Sequence, residues 1–259
     1  MPLVGRPPAA PDPITESPFD VLVDSLNPYA WYKFEEDEPD DNNVTITDSS
    51  GNGRHLKVVS PAVEYLQVVP PARIYSKQAL TWGHTRSRST YFRDNDNRMN
   101  SLPSGSTAIT VQWSWAFHPA DCSFSQVLGW RANNTSASLS CLTQWATGKQ
   151  IQPQFRASNG TIYTRSWAPP DEKIRLFTMR WDNGKYAFFR NGSKDEATAP
   201  VTALATYSDQ FEFPGTTSGD TGCAMMSDHL AIWNSALSDA DINAMHDAYE
   251  AELVSNHQK

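Results

Sequence analysis

Hydrolysis of a glycosidic bond would need two carboxylates held at a fixed separation. The densest acidic run, EEDEPDD (residues 35–41), offers such side chains, but Pro39 interrupts it and it follows an aromatic strand candidate. We therefore interpret this run as a solvated loop. The six histidines show neither an HxH nor an HExxH spacing, and no GxSxG nucleophile motif occurs. The sequence thus predicts a protein that is not an enzyme.

A calcium ion, which prefers clustered oxygen ligands, could bind at the segment DSSGNG (residues 48–53). Asp48 would contribute its carboxylate and Asn52 its carbonyl oxygen, so these two residues are the candidate metal ligands. The alternative is a plain turn in which Asp48 accepts hydrogen bonds from nearby backbone N–H groups. We favour the turn and retain a structural calcium ion as the one possible cofactor.

Aromatic side chains could bind carbohydrate, because flat rings cover the C–H faces of sugars. Most of the nine tryptophans and nine tyrosines occupy inward strand positions, where they are expected to fill the core. The exceptions lie in loop-like or alternating polar surroundings, and with one arginine they form the candidate ligand-binding set: Trp130, Trp145, Tyr163, Arg165 and Trp167. For three of the four aromatic residues, the alternative is packing within the sandwich.

The composition argues against several classes of function. The 259-residue chain has a formal net charge of −8 and no long basic run, so nucleic-acid binding is not expected. No signal-peptide pattern and no long apolar run occur, which predicts neither secretion nor membrane insertion. The cysteines, Cys122, Cys141 and Cys223, are too few for a disulfide framework, and both a Cys122–Cys141 bridge and free thiols stay open.

Short strand candidates separated by turn residues fill most of the chain, which is the pattern of a β-sandwich or barrel. The clearest is TAITVQWSWAF (residues 107–117), where five large apolar residues alternate with small or polar ones and predict a half-buried strand. The segment KIRLFTMRWDNGKYAFFRNG (residues 173–192) predicts a hairpin, because Asn183-Gly184 accepts the positive φ angles of a two-residue turn.

The two ends of the chain differ from this β-rich body. Residues 1–26 begin with six prolines in 18 residues, and we predict that they form an extended anchoring arm. Near the other end, Ser238 is placed to cap a helix over residues 239–253. The apolar residues of this helix repeat at helical spacing: Ile242, Met245, Tyr249 and Leu253. We expect that single apolar face to pack on a sheet.

Several segments, in this order, resemble the laminin-G-like branch of the concanavalin A-like lectin/glucanase superfamily. The aromatic strand YAWYKFEE is followed by the turn DSSGNGRH, and later come the strand AITVQWSWAF and the hairpin FTMRWDNGKYAFFRNGS. The last is LAIWNSALSDADI, where Asp241 stands in place of the family's usual glutamate. The similarity runs from about residue 27 to residue 249.

The resemblance implies an all-β fold, a jelly-roll sandwich of two antiparallel sheets over residues 27–259 that a short C-terminal helix closes. Glycoside hydrolases of the superfamily carry Glu-x-Asp-x-Glu on one strand, and this chain has no such motif. Laminin-G-like domains mostly bind glycans or proteins through loops at one rim. The resemblance therefore implies a non-enzymatic, lectin-like binding or attachment module.

A proline-rich arm without a targeting signal, on an acidic lectin-like domain made in the cytoplasm, looks like a bacteriophage virion protein. We hypothesise a minor tail or capsid decoration protein, located in the virion and anchored to other virion proteins through residues 1–26. It would assemble as a homo-oligomer and present its jelly roll to host-surface glycans. The alternatives are a purely structural decoration or oligomerisation protein and a glycan-cleaving enzyme of the same superfamily.

Overall fold

The computed structural model shows a β-sandwich with two helices packed on the outer face of one sheet. It describes the following residues: 16–36, 45–59, 66–69, 71–82, 91–94, 98–99, 102–117, 124–133, 136–144, 150–167, 173–190, 192–206, 210–213 and 225–254. Within these ranges neither helix is long and apolar enough to cross a membrane.

The described residues form seventeen strands and two helices. In chain order they are α1 (Pro18–Ser25), β1 (Ala30–Tyr32), β2 (Thr45–Ile46), β3 (Leu56–Val59), β4 (Leu66–Val69), β5 (Ala79–Trp82), β6 (Tyr91–Asp94), β7 (Ala108–Phe117), β8 (Phe124–Asn133), β9 (Ser136–Gln144), β10 (Gln150–Arg156), β11 (Ile162–Thr164), β12 (Arg175–Asp182), β13 (Lys185–Arg190), β14 (Ser193–Thr198), β15 (Gln210–Phe213), β16 (Met225–Ser227), β17 (Leu230–Trp233) and α2 (Asp239–Glu252).

The strands form two antiparallel sheets, which confirms the predicted fold class. The first sheet follows the order β14-β13-β12-β7-β16-β5-β4, with β17 also paired to β7 and β1 paired to β17. The second sheet follows the order β11-β10-β9-β8-β15-β6-β3-β2. Strands far apart in the chain, such as β7 and β16, are neighbours, so the sheets are joined by crossovers as in a jelly roll.

Strand β7 runs through the middle of the first sheet, and both of its faces are buried. Its predicted apolar face fills the core between the sheets through four side chains with no exposed surface: Ile109, Val111, Trp113 and Trp115. The prediction of a half-buried strand was wrong for the other face. Thr110, Gln112 and Ser114 are fully buried as well, because the two helices cover that side of the sheet.

The predicted hairpin is confirmed as β12 and β13, which pair in antiparallel register from Asp182 opposite Lys185. The turn residues Asn183 and Gly184 have φ angles of 48° and 87°, the left-handed conformation that a two-residue turn requires. The turn also packs closely against the backbone near Val201, since a Cβ atom placed on Gly184 would lie 2.5 Å from the carbonyl oxygen of Val201.

We expect Gly184→Ala to lower the free energy of unfolding by about 2 kcal/mol, through left-handed strain and a clash with backbone that cannot easily move. The control is Gly192→Ala, which has a φ of +72° but open space around its Cβ position. That control should lose only about 1 kcal/mol. Urea unfolding followed by tryptophan fluorescence measures both, and equal losses would contradict the steric argument.

The prediction that residues 1–26 are an extended arm was wrong for its last part, since residues 18–25 form α1. Pro18 occupies the first turn, where a helix tolerates proline, and the Ser17 side chain caps the helix by accepting a hydrogen bond from the Asp20 backbone N–H (2.9 Å). Phe19 and Val23 are buried on its inner face. The globular body therefore begins before residue 27, and residues 1–15 lie outside the described part.

The predicted C-terminal helix is confirmed as α2. Ser238 caps it by accepting a hydrogen bond from the Asp241 backbone N–H (3.1 Å). The four predicted apolar residues are all buried, and the Tyr249 ring meets Phe19 of α1 edge-on at 5.1 Å. The two helices thus pack on each other as well as on the outer face of the first sheet.

Candidate functional site

The segment DSSGNG forms a tight turn that one buried carboxylate holds against the start of β1. Asp48 Oδ1 accepts hydrogen bonds from the Trp31 N–H (3.0 Å) and from the Ser50 N–H and hydroxyl (3.0 and 2.6 Å). Asp48 Oδ2 accepts one from the Arg54 N–H (2.9 Å). Asp48 therefore fixes the backbone on both sides of the turn, which sets where the side chains of residues 50–54 lie.

Asn52 is tied to the same strand through its amide nitrogen. Nδ2 donates to the carbonyl oxygens of Pro28 and Tyr29 (3.2 Å each) and to the Ser50 hydroxyl (3.1 Å). Among the described residues no group of three His, Cys, Asp or Glu side chains could hold a metal ion. The donors around Asp48 and Asn52 match the plain-turn alternative, and the structural calcium ion stays a prediction.

Beside this turn lies a cleft of about 340 Å³, a volume within the range of roughly 300–1,000 Å³ that is usual for small-ligand sites. Three separate parts of the chain meet there: the end of α1 with the loop that follows it, the DSSGNG turn, and the loop after β17. We call it the asparagine cleft, and its lining residues are Asp24, Asn27, Pro28, Tyr29, Ser50, Asn52, Arg54 and Asn234.

Arg54 and Tyr29 form a fixed pair in the asparagine cleft. The guanidinium carbon of Arg54 lies 3.5 Å from the centre of the Tyr29 ring, and Nη1 donates a hydrogen bond to the Tyr29 carbonyl oxygen (2.8 Å). The Tyr29 hydroxyl in turn donates to the Arg98 carbonyl oxygen (3.2 Å). This wall therefore presents an oriented cation and an aromatic ring, while the asparagines and Ser50 add amide and hydroxyl groups.

A second cleft, of about 380 Å³, shares Asp24 with the first, and we call it the acidic cleft. Its lining residues are Glu16, Ser17, Asp20, Asp24, Trp31, Lys33, Glu35, Ser49 and Tyr75. Asp20 forms ion pairs with Lys33 (2.8 Å) and Arg73 (2.9 Å). Burial acts to raise the pKa of Asp20, but these two cations outweigh it and lower the pKa below its usual value. Asp20 is therefore ionised at neutral pH and cannot serve as a proton donor there.

The acidic run that begins at Glu35 is only partly described, since residues 37–41 lie outside the described ranges. Glu35 lines the acidic cleft, and its Oε1 accepts a hydrogen bond from the Lys77 N–H (3.1 Å). Glu36 turns away, with Oε1 accepting a hydrogen bond from the Thr47 N–H (2.6 Å) and Oε2 closed off from solvent. Burial raises the pKa of Glu36. The first two residues of the run are thus half-buried rather than solvated.

Trp130 was wrongly predicted as a ligand-binding residue. It has no exposed surface, its Nε1 donates to the Met99 carbonyl oxygen (2.6 Å), and its ring lies 4.8 Å from that of Phe211. Strand β8 runs between β9 and β15 inside the second sheet, so the inward face that carries Trp130 is core. Trp145, the second tryptophan of the set, lies outside the described residues.

Tyr163, Arg165 and Trp167 lie together at the β11 edge of the sandwich, and none of them lines either cleft. The ring of Tyr163 packs 5.0 Å from Tyr186, and that of Trp167 stacks at 5.9 Å on Phe177, so both aromatics are half-buried in the sandwich. Arg165 pairs with Asp195 of β14 at 3.1 Å and closes this edge between the two sheets. Their predicted role in ligand binding stays a prediction.

A buried polar cluster under the helices, which no motif in the sequence indicated, positions α1 beside both clefts. At its centre, Arg73 donates from Nε to Asp228 (2.9 Å) and pairs through Nη1 with Glu252 (3.2 Å). Glu252 accepts hydrogen bonds from the Ser17 hydroxyl and the Phe19 N–H (2.8 Å each), at the start of α1. Because α1 contributes residues to both clefts, the buried polar cluster that holds α1 also fixes the position of these lining residues.

Among the cysteines, the structure describes Cys141 alone. It is a free thiol on β9 with no exposed surface, and burial raises its pKa well above the usual value. Cys122 and Cys223 lie outside the described residues. Cys141 is therefore placed as a core side chain.

Most of the asparagine cleft was missed by reasoning from the sequence. Asn52 was anticipated, as a metal ligand, because the DSSGNG motif marks a turn. The sequence gives no signal that Asn27, Tyr29 or Asn234 would join it, since they come from segments that only the fold brings together. Arg54 follows the motif directly and could have been noticed as a cation at a turn.

Comparison with known proteins shows the fold alone. No protein-family model matches the chain, and no curated protein matches it. Solved structures do match. One is of botulinum neurotoxin type C, from work on its cell entry through two ganglioside molecules, at 13% identity and a TM-score of 0.62 over 87% of this chain and 52% of that one.

Two further matches are binding domains. The binding domain of botulinum neurotoxin DC in complex with rat synaptotagmin II is 12% identical, with a TM-score of 0.63 over 87% of this chain and 52% of that one. The binding domain of Paraclostridial Mosquitocidal Protein 1 is 13% identical, with a TM-score of 0.61 over 85% and 51%. This chain thus spans about half the length of each of these three solved structures.

Proposed function

We propose that this protein is a non-enzymatic, lectin-like binding or attachment module whose asparagine cleft holds a glycan. The observation that carries the proposal is the lining of that cleft, where amide, hydroxyl and guanidinium groups surround the Tyr29 ring. Sugars present hydroxyls that both donate and accept hydrogen bonds, together with apolar C–H faces. Asparagine side chains also both donate and accept, so the lining complements a sugar.

The structural neighbours support a binding role for this chain. They are binding domains of toxins, one of them described with gangliosides and another with a synaptotagmin. Those ligands belong to the neighbours, and at 12–13% identity they do not transfer residue by residue. A host-surface glycan as the ligand of this chain is part of the proposal and rests on the cleft.

The laminin-G-like relationship and the placement in a bacteriophage virion belong to the proposal too. The supporting features are the proline-rich leader and the acidic, lectin-like body. Since α1 packs into the body, anchoring to other virion proteins would fall to residues 1–15 rather than to all of residues 1–26. In such a particle several copies would act together as a homo-oligomer, and many weak glycan contacts would add up.

The alternative of a glycan-cleaving enzyme is favoured by one observation, the carboxylates around the acidic cleft. The pKa of Glu36 is raised, as a general acid requires, but its Oε2 is closed off from solvent, and Asp20 is held ionised by two cations. Incubation with a panel of polysaccharides, followed by an assay for reducing ends, should show no cleavage. Release of reducing ends that Glu35→Gln abolishes would overturn the non-enzymatic assignment.

We expect Asn234→Ala to weaken glycan binding about tenfold, since one hydrogen bond to a ligand contributes roughly 1–1.5 kcal/mol. Asn234 is exposed in the cleft, so the variant should fold normally. The matched control is Asn243→Ala, an exposed asparagine on α2 that lines neither cleft, which should bind as the unmodified protein does. Glycan microarrays identify the ligand, and titration calorimetry gives the affinities.

Two outcomes of this experiment would count against the proposal. Equal affinities for the two asparagine variants would mean that any glycan binds elsewhere, for example near Tyr163 and Trp167. No binding to any glycan on the array would favour the purely structural decoration protein.

A further inference from the structure

The asparagine cleft contains an arginine that is held in place but has no acidic partner among the described residues. Arg54 is fixed at three points: its backbone N–H by Asp48, its Nη1 by the Tyr29 carbonyl oxygen, and its guanidinium plane by the Tyr29 ring. A planar guanidinium held this way keeps its remaining N–H groups in one orientation, which is the arrangement that binds a carboxylate through two parallel hydrogen bonds.

The lack of an ion pair at Arg54 stands out in a chain with a net charge of −8. Arg73, Arg165 and Arg180 each pair with at least one carboxylate within 3.2 Å. Within the described ranges Arg54 forms no such pair, and its Nε, which is closed off from solvent, has no hydrogen-bond partner either. Its one acceptor is a neutral carbonyl oxygen, so an anionic group of a ligand would be its first charged partner.

The rest of the cleft indicates what else that ligand carries. Asp24 is exposed in the same lining, so the cleft offers an acceptor for hydroxyl groups as well as the Arg54 cation. Asp24 can accept hydrogen bonds from hydroxyl groups, and Asn27 and Asn234 can donate to or accept from them. A molecule that has one carboxylate and several hydroxyls would satisfy Arg54 and Asp24 together.

We infer that the asparagine cleft binds a glycan through a sugar that carries a carboxylate, with that carboxylate on Arg54 and the sugar hydroxyls on Asp24 and the asparagines. The inference rests on the proposed function and makes it more specific. It names Arg54 as the residue that distinguishes acidic sugars from neutral ones, which is a role that Asn234 does not share.

The test uses the full chain and pairs of oligosaccharides that differ only at the carboxyl group: sialyllactose with its methyl ester, and trigalacturonate with its fully methyl-esterified form. The unmodified protein should bind at least one acidic member ten times or more tighter than its neutral partner. Arg54→Gln should remove that preference, so that the acidic and the neutral member of a pair bind with affinities within about twofold of each other. Arg54→Lys keeps the positive charge but cannot form the bidentate pair of hydrogen bonds, so it should retain only part of the preference.

Arg98→Gln is the matched control, because this exposed arginine of the same region donates to the Gly53 carbonyl oxygen and does not line the cleft. It should keep the full preference for the acidic sugar. Near-UV circular dichroism and thermal unfolding verify that each variant is folded. If Arg54→Gln proves unstable, Arg54→Lys takes its place in the test, because it keeps the aliphatic part of the side chain that covers Tyr29.

The possible failures can be told apart. If acidic and neutral sugars bind equally and Asn234→Ala weakens both, the lectin role stands and the inference about Arg54 is wrong. If no sugar binds, the proposed function and the inference fail together. If acetate or inorganic phosphate binds as tightly as the acidic sugar, the site is a simple anion site and the inference is wrong. An unchanged preference in Arg54→Gln would also overturn it.

Discussion

Replacing Arg73 with methionine is expected to lower the free energy of unfolding by about 3–5 kcal/mol, because it leaves buried carboxylates without their cation. Arg73 is 1% exposed, and its partners Asp228 and Glu252 are 0% and 3% exposed. Water cannot replace the lost N–H groups at such sites. Asp228 would keep the hydrogen bonds from the Ser114 and Tyr249 hydroxyls (2.7 Å each), which limit the loss but do not neutralise the charge.

Urea unfolding at neutral pH, followed by tryptophan fluorescence, measures this loss. The matched control is Arg165→Met, because the ion pair of Arg165 with Asp195 is partly exposed and should contribute no more than about 1 kcal/mol. In addition, Arg73→Met combined with Asp228→Asn removes one cation and one buried anion together. That double variant should be more stable than Arg73→Met alone. If Arg73→Met loses no more free energy of unfolding than Arg165→Met does, the prediction is contradicted.

A local effect on α1 should accompany the loss of stability. Arg73 contacts Asp20 of α1 directly, and its guanidinium lies 4.8 Å from the centre of the Phe19 ring. Glu252, which Arg73 neutralises, accepts the hydrogen bond of the Phe19 N–H. Amide hydrogen exchange of residues 18–25 should therefore become faster in Arg73→Met, while that of β12 changes only with the global stability.

The elements that could be predicted from the sequence are those that short segments specify. The alternation in residues 107–117 marks one face of β7, Asn183-Gly184 marks its turn, and Ser238 marks the start of α2. In each case the signal lies within a few residues of the structure it forms, because side-chain period, turn angles and helix caps are local properties. The order of these segments along the chain resembles that of laminin-G-like domains, and this resemblance predicted the β-sandwich.

The parts that could not be predicted depend on contacts between distant segments. The polar face of β7 has the residue pattern of a solvent-exposed face. The residues next to Gln112 and Ser114 in the sequence do not indicate that two helices cover this face. Trp130 has polar neighbours in the sequence, yet it faces the core because β8 lies inside a sheet rather than at its edge. A position within a sheet is a property of the whole topology, so local surroundings could not reveal it.

The missed helix α1 has a similar cause. Its segment, PFDVLVDS, follows a proline-rich leader, and the proline density of residues 1–18 outweighed the short apolar pattern of Phe19 and Val23. An eight-residue helix is marginal alone and gains its stability from tertiary contacts, here with Tyr249, Arg73 and Glu252. The asparagine cleft was missed for the same reason, since α1 and the loop after it form one side of it.

The stability of the protein should fall by about 2 kcal/mol between pH 6.5 and pH 4.5 because of His229 alone, since the slope is half of about 1.4 kcal/mol per pH unit at pH 6.5 and approaches the full value only at lower pH. Burial, followed by the nearby Arg73 cation, lowers the pKa of His229 to about 3, although Asp228 and Asp20 act to raise it. Nε2 lies 3.1 Å from Gln112 Oε1, whereas Nδ1 has no acceptor among the described residues. A second proton would therefore be buried without a partner.

The sign of this pH effect follows from the number of protons that the folded and the unfolded chain bind. Below pH 6.5 the unfolded chain binds a proton at residue 229 and the folded chain does not, so acid favours unfolding until the pH approaches the folded pKa of about 3. The contribution of Asp20, whose folded pKa is lowered, is present above its usual pKa near 3.8 and is lost only at more acidic pH, outside this window. The fall between pH 6.5 and pH 4.5 thus isolates the histidine from that ion pair.

Urea unfolding at half-unit pH steps tests this prediction in the unmodified protein and in His229→Gln. Glutamine can keep a hydrogen bond to Gln112 but does not titrate. The curve of His229→Gln should be flatter by about 2 kcal/mol across the window, even if that variant is less stable throughout. Parallel curves for the two proteins would show that His229 takes up its proton in the folded state and that the buried ring is not the source of acid sensitivity.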